Sequence, residues 1–244
     1  MKKKVAVVTG ASRGIGRAIS ETLASNGYHL ILCCRKQMET LHDLAREWEE
    51  KYNISCYTQA IDVSRPEEVE AFIKNGTEAI GPADVLVNNA GISFVGLLTD
   101  MTPTQWRDTI ETNLSSAFYL SRMVLPSMIS RKEGRIINIS SVWGNVGASC
   151  EVAYSASKGG LNSFTKALAK EMAPSHICVN AISCGIIDTS MNSCFSQEEL
   201  NDICEEIPAG RMGTPAEVAE MVLQLTTSPD YLTGQILTID GGWC

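Results

Sequence analysis

Short apolar, β-branched runs alternate along this chain with longer stretches in which apolar positions recur every three or four residues. The runs "KVAVVT" (4–9), "HLILCC" (29–34), "ISCYTQAI" (54–61), "ADVLVNN" (83–89), "RIINIS" (135–140), "ICVNAIS" (177–183) and "QILTID" (235–240) predict strands. Helical patterns lie near 14–26, 37–51, 66–79, 102–131, 152–173 and 215–227. "SRPEE" from Ser64 and "TPAE" from Thr214 mark helix starts, with proline in the first turn and glutamate soon after. Strands that are apolar on both faces must be covered on both faces. Helices between them make the sheet parallel. The expectation is an α/β protein: a doubly wound parallel sheet of about seven strands in three α/β/α layers. No linker, repeat or low-complexity tract interrupts the alternation, so residues 1–244 are expected to form a single domain.

One long stretch lacks a clear period, "CGIIDTSMNSCFSQEELNDICEEIPAGRMG" (184–213). It follows the sixth strand, on the carboxyl edge where open α/β sheets bind ligands. A connection of this length in that place is expected to act as a lid or a substrate wall.

Composition narrows the partners. Of 244 residues, 44 % are hydrophobic and 20 % charged, and the formal charge is −8. An acidic chain gives a polyanion no general attraction, which argues against a nucleic-acid partner. The nine cysteines are scattered with no CxxC pair, so neither a metal site nor a disulfide framework is expected, and thiols in a reducing cytoplasm fit best. The start, "MKKKVAVVTGASRG", has too short an apolar stretch for a signal-peptide core, and no run reaches the roughly 18 residues of a membrane span. His29, His42 and His176 are scattered and suggest no chemistry.

The first candidate chemistry is "VVTGASRGIGRAI", between the first strand and the first helix. Gly10, Gly14 and Gly16 allow a sharp turn and close approach of backbone to a pyrophosphate, which the free N–H groups at the helix start then face. This placement marks a Rossmann-type dinucleotide site. An acidic residue that would hold a ribose 2′-hydroxyl is missing after the second strand, which ends "LCCRK". Arg35, with Arg13 in the glycine turn, suits a 2′-phosphate, so NADPH/NADP+ is the expected cofactor.

The second is "YSASKGGLNSFTKALAKEM" (154–172). A four-residue step sets Tyr154 and Lys158 on one helical face. An ammonium beside a phenol favours the phenolate and is expected to lower the tyrosine pKa by about 1–3 units, bringing it toward working pH. Such a tyrosine can protonate a carbonyl oxygen as hydride arrives. Ser141, ending the fifth strand in "NISSVWG", can hydrogen-bond the same oxygen.

Seven short motifs stand in order: "TGASRGIG" (9–16), "DV" (62–63), "NNAG" (88–91), Asn113 in "IETNLSS", "ISS" (139–141), "YSASK" (154–158) and "CGIIDT" (184–189). In this the chain resembles the short-chain dehydrogenase/reductases of the classical type, over essentially its whole length. The resemblance implies a catalytic tetrad of Asn113, Ser141, Tyr154 and Lys158. Tyr154 would be the acid/base, Ser141 the partner of the substrate oxygen, and Lys158 the group that depresses the tyrosine pKa and holds the nicotinamide ribose. Asn113 would kink its helix and hold a water of the proton relay. It further implies cofactor contacts at Gly10, Ser12, Arg13, Gly14, Ile15, Gly16 and Arg35. Asp62 and Val63 would meet the adenine, Asn89, Ala90 and Gly91 the adenosine side, and Ile187 and Thr189 the nicotinamide end, with Tyr154 and Lys158 also touching the cofactor.

Within that family the likeness is to bacterial 3-oxoacyl-[acyl-carrier-protein] reductases, carried by "IETNLSS", "IPAGRMG" and "YLTGQILTIDGG". It implies a small-molecule carbonyl or acyl thioester substrate, on an acyl carrier protein or free, in fatty acid biosynthesis, and a homotetramer. Arg131, Lys132 and Arg135 of "SRKEGR" are candidate docking residues for an acidic carrier. Two departures leave the substrate open. The turn before strand six reads "APSHI" where a further basic residue is usual, and Cys184 stands where the proline of that family's "PG" is expected. A free ketone, sugar, steroid or other secondary alcohol is the alternative substrate, and a non-catalytic dinucleotide sensor the alternative class. Trp143 is expected either to wall the substrate pocket or simply to pack, and Met191, Cys194 and Phe195 either to line the lid or to pack. Cys150 lies near Tyr154 with no histidine placed to activate it.

Overall fold

The computed structural model describes residues 3–193 and 195–244. Seven strands form one parallel sheet: β1 (Val5–Thr9), β2 (His29–Cys34), β3 (Cys56–Ala60), β4 (Val85–Asn88), β5 (Gly134–Ser141), β6 (Ile177–Cys184) and β7 (Ile236–Ile239). Their order is β3-β2-β1-β4-β5-β6-β7, with all neighbours parallel. The doubly wound sheet expected from the pattern is the sheet observed.

Alternation along the strands divides the core into two layers. Ala6, Val8, Leu30 and Leu32 point to one face, where Ile19 and Leu23 of α1 (Gly14–Ser25) meet Trp48 of α2 (Met38–Tyr52) and Val218 and Val222 of α9 (Pro215–Thr226). Val5, Val7 and Ile31 point to the other, against Phe72 of α3 (Pro66–Ile80), Leu120 and Met128 of α5 (Ser116–Arg131) and Leu168 of α7 (Val152–Met172). A period of two in the strands against a stripe on each helix accounts for both layers.

Two parts of the chain differ from the expected pattern. The apolar period over 102–131 is two helices, α4 (Pro103–Ile110) and α5, joined by a π-helical turn, Glu111–Ser115. Thr102 and Gln105 close a capping box at the start of α4. Asn113, in the middle of the π turn, is buried. The stretch 184–213 is not wholly irregular, since it contains α8 (Gln197–Glu206), opened by a capping box from Ser196 to Glu199. α8 has no buried residue, and its apolar stripe is only Leu200, Ile203 and Cys204 within a run of acids. A short helix, α6 (Trp143–Val146), follows β5. No helix among the described residues is long and apolar enough to cross a membrane.

Candidate active site

β1 and β4 are neighbours, while the chain leaves β1 toward β2 on one side and reaches β5 on the other. The connections therefore diverge at the carboxyl ends of these two strands and leave a crevice. A cavity of about 590 Å³ lies there. Every residue expected to contact a cofactor lines it, from Gly10 through Arg35, Asp62, Val63 and Asn89 to Ile187 and Thr189. Ser141, Tyr154 and Lys158 line the same cavity. Asn113 sits behind the wall, 3 % exposed.

The glycine turn is tight for a steric reason. A Cβ on Gly16 would lie 2.2 Å from the Gly10 carbonyl oxygen and 2.5 Å from Asn89 Nδ2. Gly10 and Gly14 have φ of +66° and +54°, a region that glycine adopts without penalty. Asn89 locks the turn by donating to the carbonyl of Thr9 at 2.8 Å, and its own N–H donates to Thr9 Oγ1 at 3.0 Å. α1 then begins with no side-chain cap and no acidic residue in its first turn. Its first N–H groups and positive dipole end are left for an anion, which is what a dinucleotide pyrophosphate requires.

At the far end of the cavity, Arg35 is half-exposed and lies 4.0 Å from Asp62. Asp62 also accepts from the N–H and hydroxyl of Ser64 at 3.0 and 2.7 Å, and these bonds with Arg35 and Arg65 hold its carboxyl below the usual range despite burial. Arg13 is exposed on the same rim. The residues present suit a phosphate-bearing dinucleotide.

At the other end stand the chemical groups. Lys158 is 4 % exposed, its Nζ donating to the carbonyl of Ile139 at 2.8 Å and lying 5.5 Å from the centre of the Tyr154 ring. Burial pulls its pKa down to about 8. Burial pushes Tyr154 above the usual 10, with the Ser141 hydrogen bond acting downward and Glu151 adding to the upward push. The expected lowering of the phenol by its lysine is therefore not found. Desolvation outweighs an ammonium that is itself desolvated and bonded to Ile139. Asn113 accepts from the N–H of Ile92 at 2.8 Å and donates to its carbonyl at 2.9 Å, clamping the strand that leaves β4. Ser141 Oγ accepts from the N–H of Trp143 at 3.2 Å.

A glycine cradle and a Ser–Tyr–Lys cluster in one crevice have counterparts elsewhere. Residues 4–200 match the family model of the short chain dehydrogenases. The chain belongs to the short-chain dehydrogenase family. It is 40 % identical over 241 residues to an uncharacterized oxidoreductase of Bacillus subtilis, with 98 % of each chain covered. It is also 40 % identical over 244 residues to a 3-oxoacyl-[acyl-carrier-protein] reductase of Vibrio cholerae, covering 99 % of this chain and 98 % of that one. The fold is similar to a crystal structure from Agrobacterium tumefaciens assigned as a gluconate dehydrogenase. That match has a TM-score of 0.91 and 34 % identity, over 98 % of this chain and 95 % of the other.

Several features of this short-chain dehydrogenase site escaped the sequence. Glu151, at the start of α7, turns away from the helix N–H groups and accepts from Ser93 Oγ at 2.5 Å across the cavity. Trp243, next to last in the chain, lines the cavity beside Trp143. No signal in the sequence points to this, since nothing local links positions 100 residues apart. Met191 and Phe195 also line it, while Cys194 lies outside the described residues. Cys184 ends β6, lines the cavity and is driven up to about 12 by burial, which leaves it a neutral thiol.

The basic cluster is not at the cavity mouth. Arg131 is paired with Asp84, and Arg135 with Asp230 at 2.7 Å, at the amino ends of β4 and β5. β5 runs eight residues, about 26 Å, from that edge to Ser141. Within one chain these cations therefore lie at the opposite edge of the sheet from the crevice.

Proposed function

We propose that this oxidoreductase reduces 3-oxoacyl thioesters to 3-hydroxyacyl thioesters with NADPH. The observation that carries the reading is the meeting of Ser141, Tyr154 and Lys158 in the cavity whose other end is the glycine cradle. The likeness to the Vibrio cholerae reductase supports the substrate class.

Gly10 to Gly16 would hold the pyrophosphate, Arg13 and Arg35 the 2′-phosphate, Asp62 and Val63 the adenine, and Ile187 and Thr189 the nicotinamide end. NADPH supplies a hydride when bound. Ser141 donates a hydrogen bond to the substrate carbonyl and fixes its oxygen beside Tyr154. Tyr154, kept protonated by burial, gives its hydroxyl proton to that oxygen as the carbon is reduced, so the C=O becomes CH–OH and the phenol becomes phenolate. The Lys158 ammonium stabilises that phenolate. With a pKa near 8 it can also release a proton back to it and recover one from solvent. Asn113 holds the Ile92 segment, and so the pocket floor, in place.

A second reading is reduction of a free ketone or oxidation of a sugar alcohol by the same chemistry. It draws on the Agrobacterium tumefaciens neighbour and on the Glu151 carboxylate, which is suited to accept from a substrate hydroxyl. Steady-state assays with an acetoacetyl thioester and a panel of ketones, each with NADPH and NADH, separate the two. Turnover of the thioester with NADPH supports the first reading, and turnover of ketones alone replaces it with the second.

A further inference from the structure

The geometry points to the Trp143–Trp243 pair as the element that selects the substrate's arm, favouring a carbonyl compound with an apolar alkyl or aryl arm over a polyhydroxylated one. The inference deepens the reductase reading above and rests on it.

The two indoles meet edge to face, with ring centres 4.9 Å apart at 61°. Both line the cavity and both are half-buried. Trp143 is two residues beyond Ser141 and bonded to it through its backbone, so this corner adjoins the hydroxyl proposed to hold the reacting oxygen. An arm attached to the reacting carbon meets these rings.

Trp243 reaches the cavity because the last residues of the chain form a hook. One oxygen of Asp240 accepts from the N–H of Gly242, and the other from the N–H of Cys244, each at 2.9 Å. Gly241 and Gly242 have φ of +70° and +86°, so the reversal depends on glycine at both positions. Ala209 N–H donates to the Gly241 carbonyl at 3.1 Å, tying the hook to the base of the lid. A Cβ on Gly241 would lie 2.8 Å from Ile207, so the tail is seated closely. This placement is built into the fold.

The chemistry of the corner is apolar. Met191, Phe195 and Ile203 of the lid segment line the same cavity. The indoles contribute only an N–H donor each and offer no acceptor for hydroxyls. Glu151, one oxygen of which accepts from Ser93 Oγ, is the acceptor at the Ser93 wall and is not part of the indole pair. A polyol arm would lose its water against such a wall without replacement bonds, whereas an alkyl arm gains by burial.

The test compares wild type with Trp243→Ala, Trp243→Phe and Asp240→Ala, using acetoacetyl and 3-oxodecanoyl N-acetylcysteamine thioesters. The ratio of kcat/KM for the longer to the shorter substrate is expected to fall about tenfold in Trp243→Ala and Asp240→Ala, and to stay within about threefold of wild type in Trp243→Phe. Binding of decanoyl N-acetylcysteamine, which has no ketone to reduce, is measured separately by calorimetry and is expected to weaken about tenfold in Trp243→Ala. An unchanged ratio or unchanged binding in Trp243→Ala overturns the proposal, as does a wild type that does not prefer the longer chain in binding. If wild type binds the decanoyl thioester more tightly than Trp243→Ala yet reduces neither ketone thioester, the wall stands and the thioester-reductase reading falls. Thermal melting of each variant identifies any loss of fold, in which case Trp243→Phe set against Trp243→Leu decides between an aromatic wall and plain bulk.

Discussion

Asn113 is joined to Ser157 by a 3.0 Å hydrogen bond, and the Ser157 hydroxyl in turn donates to the carbonyl of Tyr154 at 2.7 Å. The π-helical turn is thereby fastened to the helix that carries the proposed proton donor. The same amide makes both backbone bonds to Ile92, so one buried side chain couples the strand β4 exit, the turn and α7. Asn113→Leu keeps the volume and strands an N–H and a carbonyl of Ile92. Each unsatisfied group costs about 1–3 kcal/mol, so a loss of about 2–4 kcal/mol in urea denaturation is expected, with turnover falling alongside. Unaltered stability would mean that these contacts are replaced by water.

Tyr154→Phe removes one oxygen from a half-buried ring. If the phenol is the proton donor, kcat drops by about 10²–10⁴-fold while NADPH affinity, followed by cofactor fluorescence, changes little. A variant that turns over normally would mean that another group delivers the proton. Ser141→Ala should lower kcat by a smaller factor, since it loses an orienting bond and keeps the donor.

Gly16→Ala tests the cradle without touching the chemistry. Its methyl group would sit 2.2 Å from the Gly10 carbonyl oxygen, and backbone cannot yield as a flexible side chain does. Overpacking of this kind costs about 1–3 kcal/mol. A lower melting temperature together with weaker cofactor binding is expected. Weaker binding at full stability would mean that the turn had opened instead.

Much of this was legible before any coordinates. The inner strands are buried on both faces, so their apolar runs are nearly continuous and their presence can be read directly. The glycines, Ser141, Tyr154 and Lys158 were legible because each lies within a few residues of a strand end or helix start, where short motifs carry position. What stayed hidden depends on contacts remote in sequence. Trp243 meets Trp143 through a chain reversal at Gly241 and Gly242, and Glu151 meets Ser93 across the cavity. The π turn was hidden for another reason, since one added residue hardly disturbs the apolar period on either side. The direction of the Tyr154 shift does not follow from the sequence, because a helical spacing of four reports proximity and not desolvation.

Arg35 bears on cofactor choice. It is half-exposed and only loosely paired with Asp62, which leaves its guanidinium available to a second anion. Arg35→Asp sets an acid where a 2′-phosphate would lie. The ratio of kcat/KM for NADPH over NADH is expected to fall by about 10²-fold, a charge-assisted bond being worth about 1.5–3 kcal/mol before the added repulsion. A ratio that does not move would assign the selection to Arg13 or to the backbone.

Lys158 ties catalysis to stability through pH. In the unfolded chain a lysine titrates near 10.4, and in the fold burial brings this one to about 8. Between those values the unfolded state carries more protons on this lysine, so the contribution of Lys158 to stability rises with pH across the window from about 8 to 10.4. Below it, both states are protonated and the burial of the charge is a fixed penalty. Lys158→Met removes that penalty. The variant should therefore exceed wild type by about 1–3 kcal/mol at pH 7, less whatever the lost bond to the Ile139 carbonyl contributes, with the gap closing as pH approaches 10. Tyr154 and the buried thiols of Cys33, Cys56 and Cys184, all raised by burial, make stability fall from about pH 9 upward in both proteins, so the difference between wild type and variant is what is read. Urea denaturation of both proteins at pH 7, 8, 9 and 10 checks it. A gap independent of pH would mean that Lys158 is not held as a desolvated ammonium, and the same variant should be inactive at every pH if that ammonium is what stabilises the Tyr154 phenolate.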